Sequence, residues 1–242
     1  MTVMAAIAEV TARALLGRRR TLLMALIAAA PVGLALLLDL NGRDASRRLV
    51  PIMEGLLLTT ILPLIALVFG TAALGSEIDD GTAIHVLTKP IPRWQIVVPK
   101  LLVAGLLTAA LVGLSALLTG LLIGGGASRQ LGITLAFVVA LVIGSFVYVA
   151  IFLALSAATS RGLVVGLAYS ILWEGLLAGA LPGTQALSVR EYVRGIVATF
   201  GPEGTVKSEI GAQGLAYAVI AFIVIALLAS LRLERFQVRA AD

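Results

Sequence analysis

The chain has no cysteine and one histidine, His85. This excludes disulfides, thiolate metal sites, cysteine-attached haem and cysteine nucleophiles, and leaves the serines without a histidine base in plausible reach. Aromatic residues are scarce, at 5%, and charged residues make up only 13% of the 242 positions. Hydrophobic residues make up 60%, mainly Leu, Ala, Val and Ile, and the mean hydropathy is +1.08. That is more apolar surface than one water-soluble core can hide, so the composition reads as an integral membrane protein of packed helices. The alternating segments of roughly ten residues that a transmembrane barrel needs are not visible. The net charge of +5 and pI near 10.1 come from bases scattered among the loops, which fits membrane-flanking charge and not nucleic acid.

Read in order, residues 2–20 predict an interfacial amphipathic helix. Val3, Ile7, Val10 and Ala14 recur at helical spacing, and Glu9 and Arg13 lie off that stripe. Arg18, Arg19 and Arg20 precede the first apolar run. Pro31 directly after Ala28, Ala29 and Ala30 makes a poor cleavage site, so the run reads as a retained span and not a signal peptide. Six spans are expected at about 21–38, 51–74, 101–123, 131–158, 162–181 and 212–231, in one all-α transmembrane domain over 1–242. Pro63 should kink the second span, because proline removes a backbone donor and clashes one turn back. Between spans five and six, Ser188 and Glu191 fit a capping box. Val189, Tyr192, Val193, Ile196, Val197 and Phe200 then predict a surface helix on the outer membrane face, ended by Gly201-Pro202.

Six spans put both termini on one side, and 11 of the 18 Lys and Arg fall there. The positive-inside rule makes that side cytoplasmic, with Arg18–Arg20 tipping the balance against Arg43, Arg47 and Arg48.

Candidate chemistry is sparse. Glu77, Asp79 and Asp80 invite a divalent cation, but no second acidic cluster or histidine pair joins them, and a solvated helix end is the simpler reading. The run from Gly201 to Ser208 lacks the G-x-x-x-x-G-K-[ST] spacing of a P-loop. No catalytic, cofactor or metal residue is assigned, and the chain does not read as an enzyme. Glu174 is an acid well inside a span. A carboxylate there either lines a substrate or proton pathway or is satisfied by neighbours such as Tyr169 or Ser170. Gly162-x-x-x-Gly166 and Gly175-x-x-x-Gly179 start 13 residues apart, about 220° around a helix, so they face different neighbours. One of these could be a second copy of the chain.

The densest polar stretch runs from Gly75 to Lys100. Asp80 or Thr82 can cap a short helix there, Gly81 permits a sharp break, and Ile84 and Leu87 share a face. Pro90 stops the helix, and Trp94 suits the membrane interface. The run Glu77-x-x-x-Gly81-Thr82, then Leu87-x-x-Pro90-Ile91-x-Arg93-Trp94, then Lys100 before an apolar span, resembles the signature of ABC-2 type ABC transporter permeases.

The resemblance implies the membrane subunit of a bacterial inner-membrane exporter, pairing as a homodimer or with a similar subunit. A separate P-loop ATPase would bind ATP and Mg. Glu77, Asp80, Gly81, Thr82, Ile84, His85, Leu87, Pro90 and Arg93 would form the docking element, a coupling helix seated in the ATPase. The resemblance also puts the first and fifth spans at the dimer interface. Two other readings stand beside it: a proton- or ion-coupled secondary carrier using Glu174, and a non-transporting membrane assembly subunit. The transported substrate is not legible.

Overall fold

A computed structural model describes residues 3–40, 45–79, 92–124, 127–159, 161–178 and 184–239. The described residues are helices and turns. They form α1 (Val3–Leu15), α2 (Arg18–Leu40), α3 (Ala45–Ile52), a first π-helical segment (Met53–Ile61) and α4 (Leu62–Asp79). After these come α5 (Trp94–Gly124), α6 (Ser128–Ala158), α7 (Gly162–Ala168) and a second π-helical segment (Tyr169–Leu177). A 3₁₀ turn (Thr184–Leu187), α8 (Val189–Phe200) and α9 (Gln213–Arg239) complete the order. Five stretches are long and apolar enough to cross a membrane: Arg19–Leu38, Arg47–Leu74, Trp94–Gly124, Ser128–Ala158 and Gln213–Arg232. The expected fifth span is described only as Gly162–Leu177. At ~1.5 Å per residue that stretch falls short of the ~30 Å bilayer core.

The third span starts at Trp94, seven residues earlier than hydropathy placed it. Its polar first turns are helical because the Arg93 carbonyl accepts from the backbone amides of Ile96 and Val97.

The hub of the bundle is α6, which packs against α4, α5, α7, α8 and α9. Its contact with α5 runs through glycines. A Cβ on Gly105 would lie 2.5 Å from Phe146 Cδ1, and one on Gly113 would lie 3.3 Å from Val142 Cγ2. Gly120 meets Thr134 in the same way. As the α5 number rises the α6 number falls, so the two helices are antiparallel, with α6 side chains seated in a glycine groove. The two outermost spans, α2 and α9, bury only 22% and 17% of their apolar windows, leaving broad faces for lipid.

On α1, the residues turned to the bundle are Met4, Ile7, Ala8, Thr11 and Leu15, and they rest on α5. The expected stripe only partly coincides with them: Val3, Val10 and Ala14 are exposed. The apolar arc is therefore wide, with one half on protein and the other free for the membrane interface.

Pro63 does not simply kink the second span. It follows nine residues of π-helix, in which the Leu62 amide bonds the Leu57 carbonyl. The Thr59 and Thr60 hydroxyls likewise donate five residues back, to Glu54 and Gly55 carbonyls, at 2.8 and 3.2 Å. The wider turn accommodates the missing proline donor without a break.

Two ends of the bundle can be told apart. At one end, Lys100 Nζ donates to the Ala73 carbonyl at 2.8 Å, and Ser156 Oγ donates to the Thr71 carbonyl at 3.2 Å. At the far end, Arg129 reaches the Glu203 carbonyl at 3.3 Å, and α8 packs on α6 and α9. The closest approach there is between glycines: a Cβ on Gly195 would lie 2.6 Å from the Gly211 carbonyl oxygen and 3.2 Å from Gly214 Cα. Backbone cannot step aside, so Gly195→Val should destabilise the protein by about 2–3 kcal/mol, read as a lowered midpoint of thermal unfolding in detergent.

Candidate functional site

The far end is organised around α8. Its stripe Val189, Tyr192, Val193, Ile196 and Val197 is buried against α6 and α9, while Phe200 is 60% exposed. The helix is thus docked into the bundle; the expectation of a helix lying on the membrane surface took an apolar stripe to face lipid when it faces protein.

Its N-terminus is held from the second π segment. Glu174, 2% exposed within the second π segment, accepts from the Val189 amide at 2.8 Å and the Ser188 hydroxyl at 2.8 Å. It also accepts from the Arg190 amide at 3.4 Å and the Tyr169 hydroxyl at 3.2 Å. A carboxylate at a helix N-terminus meets unsatisfied N–H groups and the positive end of the helix dipole, which offsets the cost of burying its charge. Trp173 adds a bond from its indole N–H to the Leu187 carbonyl, 3.2 Å. The expected capping box forms by half. Ser188 Oγ accepts from the Glu191 amide at 3.3 Å, but the Ser188 amide bonds the Gln185 carbonyl and the Glu191 carboxylate turns to Arg194.

A second clasp ties α8 to the first π segment. Arg194 Nε donates to Glu54 Oε1 at 3.0 Å, and its Nη1 donates to Glu191 Oε1 at 2.9 Å. Burial works against the Arg194 charge, but the flanking Glu191 and Glu54 carboxylates outweigh it and raise its pKa above the ordinary value. With the Arg194 and Glu54 side chains 32% and 24% exposed, this pair lies between surface and buried cases. A double-mutant cycle of Glu54→Gln and Arg194→Gln should give a coupling of about 1–2 kcal/mol in thermal unfolding.

Between the two clasped π segments lies a cleft of about 440 Å³, lined by Thr59, Thr60, Pro63 and Leu64 on one side and Leu167, Ser170, Ile171, Gly175 and Leu176 on the other, with Arg190 of α8 beside them. Sequence reasoning did not find Glu54, Arg190 or Arg194 as site residues. The signals were an acid at the fourth position of the expected second span and two arginines spaced i, i+4 on the α8 helix.

Gly162 and Gly166 are buried within the chain, Gly162 against Ser156, with its Cα 2.7 Å from a would-be Cβ, and Gly166 against Leu67 and Phe152. Packing inside one chain accounts for that motif. Gly175 is exposed on the cleft, and Gly179 lies outside the described residues. Asp80, Gly81, Thr82, Ile84, His85, Leu87 and Pro90 also lie outside them, and Glu77 is described only as backbone of α4. Arg93 is 6% exposed just before α5, and Lys100 is 2% exposed about two turns further on. Through its bond to Ala73, Lys100 fastens together the two helices that lead into and out of residues 80–91.

No curated protein matches the chain. A family model described as ABC-2 family transporter protein matches residues 3–235, nearly its whole length. With its all-helical, multi-pass architecture, the chain belongs to the ABC-2 transporter family and is a permease component of membrane transport.

Proposed function

We propose that this permease is the membrane half of an ATP-driven exporter, and that a separate P-loop ATPase does the hydrolysis. ABC-2 permeases generally work with an ABC ATPase, and that partner would hold ATP and Mg. The docking element in this reading is the polar stretch around 77–90, facing the cytoplasm of a bacterial cell together with both termini. The observation that carries the reading is the buried Lys100 bond to Ala73. A charge taken out of water to join two spans beside a polar loop makes those helix ends move as one body, which a lever requires. A push on the loop would then reach α4 and α5, and through α6 the rest of the bundle.

A second copy belongs to the same reading. Leu163 and Val164 of α7 and Leu22, Leu23 and Leu26 of α2 point outward, on the two spans that family resemblance puts at a homodimer interface.

The test is affinity purification of the tagged chain from its native membranes. A P-loop ATPase should co-purify, and Leu87→Asp should remove it while leaving the amount of permease unchanged. Retention of the ATPase by Leu87→Asp, or its absence from the wild-type preparation, would count against the reading.

A further inference from the structure

We propose that the cleft between the two π segments is a binding site for an anionic amphiphile, its head on Arg190 and its alkyl chain along the apolar walls. The inference goes beyond the exporter reading and does not depend on it, since occupancy is measured on the permease alone. A volume of about 440 Å³ is that of a small-molecule site. The walls offer a chain Leu64, Leu167, Ile171 and Leu176, of which Ile171 and Leu176 are 55% and 61% exposed, so the cleft is open along one side of the single chain.

Its polar groups decide the head. The Thr59, Thr60 and Ser170 hydroxyls donate to carbonyls of their own helices, at 2.8, 3.2 and 3.1 Å. Arg190 differs from them: its Nε is buried without a hydrogen-bond partner, and the guanidinium makes no ion pair with the described residues. Glu174, the nearby acid, spends its oxygens on Tyr169, Ser188 and the amides of Val189 and Arg190. A cation kept beside an apolar cleft, with no carboxylate paired to its guanidinium among the described residues, selects a phosphate or carboxylate head. The clasps at Glu174 and Arg194 hold the two walls and the arginine in one arrangement, so the site is organised before anything enters it.

The experiment uses the purified full chain in maltoside micelles, titrated with dodecyl phosphate, with zwitterionic dodecylphosphocholine and with inorganic phosphate, and read by native mass spectrometry. Dodecyl phosphate should bind about tenfold tighter than dodecylphosphocholine, the scale of one charge-assisted hydrogen bond. Arg190→Gln should erase that preference, Arg190→Lys should keep part of it, and Ile171→Trp, which fills the cleft, should weaken both amphiphiles. Equal affinities in the wild type, or an unchanged preference in Arg190→Gln, would overturn the proposal. So would inorganic phosphate binding as tightly as dodecyl phosphate, which would mark a free-anion site. If Arg190→Gln fails to fold, Ile171→Trp decides: dodecyl phosphate bound at wild-type strength would overturn the site.

Discussion

Glu174→Ala is expected to lower stability by about 3 kcal/mol, because it removes the N-terminal cap of α8 and strands buried donors at once. The Val189 amide and the Ser188 and Tyr169 hydroxyls lose their acceptor, and the second π segment loses its tie to α8. For a chain of this size the thermal midpoint should fall by roughly 6–12 °C. Glu174→Gln separates this role from proton coupling. One amide oxygen still accepts from Val189, and the amide nitrogen can donate to Ser188 in place of the second oxygen, so more than half of the loss should be recovered. A cap predicts that folded Glu174→Gln protein transports normally. A proton-coupled carrier predicts that it does not, because the titrating group is gone.

The second large effect is expected at Lys100. Lys100→Met keeps the length and the apolar stem but removes the donor to Ala73. Replacing a buried charge by a well-packed apolar side chain is often tolerated energetically, so the protein should still fold and reach the membrane. The helices on either side of residues 80–91 would no longer move as one. Reconstituted with the ATPase of the proposed function, Lys100→Met should hydrolyse ATP at near wild-type rate while transport falls about tenfold, the scale of a hydrogen bond to a charged group. Equal losses of hydrolysis and transport would point to simple misfolding or lost docking.

What the sequence revealed follows from which forces are local. Long apolar runs and their flanking charges mark spans in a single chain, so the membrane class and the bounds of four long apolar helices were readable to within a few residues. The start of α5 was placed late because hydropathy stops at Lys100, whereas the helix runs back through buried Lys100 to Trp94, next to buried Arg93, and both cations are held by contacts that composition does not encode. The α8 stripe was visible in Val189, Tyr192, Val193, Ile196 and Val197. Its partner was not, since an amphipathic helix looks the same whether its apolar face meets lipid or α6 and α9. The Glu174 cap lies 14 and 15 residues from the groups it holds, and the Glu54–Arg194 pair spans 140. Neither separation has a local signature. The π segments are equally silent in sequence, apart from Pro63 at the end of the first.

Because the chain has no native cysteine, one engineered thiol can report on docking without background. The most direct measurement places it at position 85, as His85→Cys, and compares it with Phe200→Cys, which lies exposed at the far end of the bundle. Each variant is treated with a short thiol-reactive photo-crosslinker in native membranes. A cross-link from position 85 to a P-loop ATPase, and none from position 200, is the expected result. No ATPase adduct from position 85, or equal adducts from both positions, would contradict a permease driven through the stretch around 77–90.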